Sequence, residues 1–127
     1  MESSEVLVVG ETPSLGRSIT DLLQSGDVRT QYVLDVASEQ PLSELASRFR
    51  VVVAACNGLY CNTARRWARG ELPNVELVVV GSRDPLVVGG GNLHVVPLPL
   101  LPDKFLGMVR GLLDQGRPAV TGTRRTA

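Results

Sequence analysis

Cys56 and Cys61 are the residues best placed to do chemistry, five positions apart in the stretch ACNGLYCNT, where an apolar run gives way to a helical pattern. A thiol at such a junction has its pKa lowered by the helix N-terminus, whose free N–H groups also bind an anion. That is the setting of a nucleophilic cysteine acting on an anionic ester. The arginine such a site needs is missing, because Asn62 and Thr63 follow Cys61, and Asn cannot give phosphate the two parallel hydrogen bonds of a guanidinium. The alternative is that both cysteines are buried small apolar residues. With one histidine, His94, they fall short of a four-ligand zinc site, and as a pair they are too few and too close for a disulfide framework. They read as the reduced cysteines of a cytoplasmic protein.

Other candidates are thinner. Gly10, Gly16 and Asp35 suggest nucleotide binding, but the spacing is Gly-x5-Gly, without the central glycine that lets backbone approach a pyrophosphate. Arg65, Arg66 and Arg69 form a helix-spaced cluster without interleaved aromatics, which reads as a solvated face and not as a nucleic-acid patch. His94 sits alone in a strand pattern and reads as hydrogen-bonded structure.

The elements that must position these residues alternate along the chain. Val6 to Val9 is apolar without alternation, as in a strand covered on both faces. Gly10 to Ser14 turns, and Thr12 with Pro13 opens a helix carrying Leu15, Ile19, Leu22 and Leu23 on one face. Residues 30–37 give a second, outer strand, 41–49 a short helix, and 50–56 a central third strand broken by Asn57-Gly58. Residues 59–72 are helical, with Tyr60, Ala64, Trp67 and Ala68 toward the sheet. A fourth strand covers 75–81 and an edge strand 93–98, limited by Pro97 and Pro99. Only a loop, with at most one helical turn at 85–88, joins these two. A last helix spans 102–115, with Phe105, Val109, Leu112 and Leu113 inward. Strand and helix in alternation imply a parallel sheet with helices on both faces.

Length and charge bound the rest. The 127 residues suit one domain with a core of its own. We expect that domain over 1–117 and a disordered tail over 118–127. Thirteen basic and thirteen acidic side chains cancel, so no net field draws in nucleic acid or an anionic membrane. No apolar run approaches the roughly 20 residues of a membrane span. A soluble protein without cofactor is expected.

VLVVGETPSLGRSITDLL resembles the opening of a response-regulator receiver domain, in which an apolar strand, two acidic residues and one more precede Pro-Ser-Leu and an amphipathic helix. The resemblance implies a flavodoxin-like sheet of strand order 2-1-3-4-5, with the fourth helix shortened or absent. It also implies a site that moves a phosphoryl group onto an aspartate after strand three. Magnesium on the acidic pair, a hydroxyl after strand four and a lysine before a proline after strand five would assist. On this chain those positions are Gly10 and Glu11, Ala55, Gly81 with Ser82 beside it, and Leu98 before Pro99. A shift of one residue would bring Cys56 to the aspartate's place. The chain's single lysine, Lys104, is elsewhere. The resemblance therefore implies a degenerate, non-phosphorylatable receiver that is no enzyme and acts in signalling by protein contact.

The same Cys56 loop resembles that of low-molecular-weight tyrosine phosphatases and arsenate reductases, which leaves an enzyme as the alternative, alongside an unrelated nucleotide-binding α/β domain. For the contact reading, the expected surface comprises Leu86, Val87, Leu98, Leu100, Leu101 and Phe105, and the expected partner is another protein or a second copy in a homodimer.

Overall fold

The computed structural model describes residues 5–10, 13–34, 49–58, 62–70 and 74–115. Five strands, β1 (Val6–Gly10), β2 (Thr30–Leu34), β3 (Val51–Gly58), β4 (Glu76–Ser82) and β5 (Leu93–Val96), form one sheet. Their order is β2-β1-β3-β4-β5 and all pairings are parallel. This is a flavodoxin-like α/β fold. Three helices are seen among the described residues: α1 (Pro13–Ser25), α2 (Asn62–Ala68) and α3 (Pro102–Gln115). Residues 41–48 of the helix expected over 41–49, the end of the second strand at 35–37 and the tail over 118–127 lie outside the described residues, and Phe49 is in a bend.

The continuous apolar runs place β1, β3 and β4 in the middle because both faces of each must be covered. Val6, Val8, Val51, Val53, Ala55, Val78 and Val80 lie on the face covered by α1 and α3, packed against Ile19, Leu23, Phe105, Val109, Leu112 and Leu113. Leu7, Val9, Val52, Ala54, Cys56, Leu77 and Val79 take the opposite face, with Ala64 and Trp67 of α2. Ala68, expected inward, is exposed. Ala64 and Trp67 are the residues α2 turns onto the sheet, and Ala68, its last residue, faces water.

The strand ends differ from expectation in one place that matters. Asn57-Gly58 does not break β3, which runs on to pair Gly58 with Ser82 after a register shift beyond Ala55. Between β4 and β5 the chain makes turns and no helix. That connection is anchored by Asp84, whose buried carboxylate receives Arg65 Nε and Nη2 at 2.5 and 3.2 Å and the Leu86 N–H at 3.0 Å. Arg65 is therefore a tether between α2 and the loop, where the sequence suggested a solvated face. His94 pairs with Glu76 across β5 and β4, Nε2 to Oε1 at 2.8 Å.

Candidate functional site

At the carboxyl end of the sheet Gly10 is in register with Ala55, and Ala55 with Val80. Alternation along each strand sends all three toward the face that α1 covers. Glu11 lies outside the described residues. A Cβ on Gly10 would stand 2.7 Å from the Tyr32 hydroxyl oxygen and 2.8 Å from a ring carbon, and one on Gly16 of α1 would run into the same ring. Two glycines thus make room for one tyrosine. Its ring takes the space that a side chain at position 10 would need, and its hydroxyl is buried with no hydrogen-bond partner among the described residues.

The second half of the site is built around Gly81. Its φ is +86°, a left-handed conformation, and a Cβ there would collide with the Cys56 carbonyl oxygen. Only glycine meets both conditions without strain. The same Cβ position lies 3.2 Å from Leu98 Cδ1. Cys56, Gly81 and Leu98 therefore converge. Leu98 is 41% exposed and is joined to Pro99 by a cis peptide. Ser82, the hydroxyl beside Gly81, accepts a hydrogen bond from the Asp84 N–H at 3.2 Å and so serves the loop.

Among the described residues, this end offers little to a phosphoryl group. Ala55 and Gly10 bring no carboxylate, Gly81 no hydroxyl, and Leu98 a hydrocarbon at the position assigned to an ammonium. Cys56 is 1% exposed and is disulfide-bonded, which corrects the expectation of a free, reduced thiol. A sulfur held in that bond cannot act as a nucleophilic thiolate. The chain's other cysteine, Cys61, lies outside the described residues. Spacing alone did not reveal the bond, because cysteines are bridged only where the fold brings their Cα atoms within about 7 Å.

Structure comparison places the fold among known ones. A protein of Burkholderia pseudomallei K96243, provisionally named pilus assembly-related, is similar with a TM-score of 0.58 at 14% identity, over 91% of this chain and 92% of that one. The likeness is one of fold. No protein family and no curated protein matches the sequence. The sheet order and the three helices fit a receiver-like fold.

A second feature lies beside Leu98. Val96, Pro97, Pro99, Leu100, Leu101, Lys104, Phe105 and Met108 line a mainly apolar groove of about 180 Å³ between the end of β5 and α3. Leu101 is 53% exposed at its rim, Leu100 is half-buried, and Phe105, 2% exposed, is its floor. Phe105 is thus a core residue, as the inward face of the last helix implied, and it also lines the groove, so it adds little exposed area to the expected contact surface. Val87 is likewise corrected: at 6% exposure it packs under the loop into the core, leaving Leu86 and Val88 outward. The turn at 84–87, closed by the Val87 N–H on the Asp84 carbonyl at 3.0 Å, sets Val87 against the sheet where no helix covers it, and its neighbours face water. No helix among the described residues is long and apolar enough to cross a membrane.

Proposed function

We propose that this chain is a receiver-like module that does not accept phosphate and acts in signal transduction or regulation, in the cytoplasm, through protein contact. The occupant of the contact surface is another protein or a second copy in a homodimer, seated on the groove between β5 and α3. The observation that carries the reading is the filled pocket: Tyr32 over Gly10 and Leu98 over Gly81 take the room in which phosphoryl chemistry would need oxygen ligands and an ammonium.

What remains available for function is surface. Leu98 and Leu101 are exposed apolar side chains beside a concave apolar groove, and such patches on globular domains mark interfaces. Lys104 at the groove adds a cation that suits an acidic group flanking an apolar anchor on the partner. The enzyme alternative gains no support from a bonded, buried Cys56.

Light scattering and pull-down with wild type and Leu101→Asp test the proposal. Association of the wild type, lost in a folded Leu101→Asp variant, is the expected result. A wild type that stays monomeric at high concentration and captures no protein through this face would overturn it.

A further inference from the structure

Gly10, Gly16, Gly26 and Gly81 are glycine for an internal reason, because a Cβ at each would run into a neighbouring side chain or backbone atom. Gly107 and Gly111 are not. Both lie within α3, both are exposed, neither has a left-handed backbone, and a Cβ at either would meet nothing within 4 Å. Glycine inside a helix is less stable than alanine, and nothing in the described fold gains from it here.

Lys104, Gly107, Met108 and Gly111 recur at helical spacing, so they share one flank of α3. Lys104 and Met108 also line the groove against β5. The open side of the groove therefore continues into a strip of bare backbone, on which a second chain can come closer to α3 than side chains would allow.

We propose that the groove and this strip take an acidic segment of another protein, anchored by one large apolar side chain on the Phe105 floor and laid along α3 from Lys104 to Gly111. The inference rests on the contact reading above and narrows it to one occupant. The groove, of about 180 Å³, is smaller than the roughly 300–1,000 Å³ of sites that enclose a small molecule. It suits a single anchor side chain. Lys104, exposed, is the one charged side chain lining it among the described residues, so a carboxylate beside the anchor is complementary to it. A second copy is the poorer fit. An isologous contact sets a patch against itself, which brings Lys104 toward Lys104 with no groove-lining carboxylate between them.

Three fluorescent synthetic peptides serve as probes: one with a single phenylalanine between glutamates, one with alanine in place of that phenylalanine, and one with lysines in place of the glutamates. Binding to the folded protein is followed by anisotropy at low salt and by the methyl NMR signals of Leu101 and Met108. We expect the acidic phenylalanine peptide to bind and shift both sets of signals, the alanine peptide not to bind, and the basic peptide to bind about twofold to fivefold more weakly. Lys104→Glu should reverse the preference between acidic and basic peptides. Gly111→Ala should raise the unfolding temperature and yet weaken the acidic peptide about threefold or more, a split that a purely structural glycine would not give. An acidic peptide that leaves Leu101 and Met108 unmoved, a preference indifferent to Lys104→Glu, or a Gly111→Ala protein that binds as wild type would each overturn the proposal. Self-association of the wild type through this face, abolished by Leu101→Asp, would make a second copy the occupant: the contact reading would stand and this inference would fall.

Discussion

Tyr32 lies so close over Gly10 that a Cβ on the glycine would stand 2.7 Å from the tyrosine's hydroxyl oxygen. Gly10→Ala therefore forces the ring to move, at an expected cost of about 1–3 kcal/mol by overpacking. In the background of Tyr32→Ala the same change should cost much less, because the obstructing ring is gone. Urea denaturation of the four members of that cycle measures the coupling. Additive effects would mean that the ring does not fill the site.

Tyr32→Phe keeps the filler and removes a buried hydroxyl that has no partner among the described residues. A buried unsatisfied polar group is a net cost to the folded state. Stability should stay level or rise by up to about 1 kcal/mol. A clear loss would reveal a hydrogen bond to that hydroxyl.

Gly81→Ala meets both a left-handed backbone and the Cys56 carbonyl oxygen. The expected loss is about 2 kcal/mol or more, since backbone cannot step aside as a flexible side chain does. Thermal unfolding followed by circular dichroism is sufficient to see it.

Asp84 gives a prediction in pH. Hydrogen bonds from Arg65 first and then from the Leu86 N–H lower its pKa below 3.8, with a smaller charge contribution from Arg65, against the opposing effect of burial. The unfolded chain then binds the proton more readily than the folded one, so stability rises with pH across that window. The Asp84 contribution is complete above the ordinary carboxylate value and is lost as pH falls through the lower folded value. Asp84→Asn should be less stable at neutral pH, and the gap to wild type should narrow as pH drops below about 3.8. Stability curves of the two proteins against pH check this, and a gap independent of pH would contradict it.

Much of this arrangement was legible from residue pattern. The inward sets of α1 and α3 follow from their helical spacing, and the central strands from apolar runs such as Val51 to Val53, because burial on one or both faces leaves a period in the sequence. The edge place of β5 followed from Pro97 and Pro99. What escaped depends on proximity across elements. Tyr32 reaches Gly10 and Gly16 from a neighbouring strand, and nothing local in TQYVL says so. The extension of β3 through Gly58 depends on pairing with Ser82, a partner distant in sequence. Arg65 looked like solvated charge until Asp84, nineteen positions away, was placed beneath it. Gly10, Ala55 and Gly81 were singled out by likeness to a family, whereas Val87 was assigned to the surface and packs into the core, because apolarity alone does not tell a core residue from an interface one.

Incubation of the folded protein with acetyl phosphate and magnesium, followed by intact mass, measures whether the filled end of the sheet accepts a phosphoryl group. With Ala55 at the end of β3, Tyr32 over Gly10 and Leu98 over Gly81, the expected mass is unchanged in both the oxidised and the reduced protein. A stable gain of one phosphoryl group, abolished by a substitution at this end of the sheet, would contradict the account.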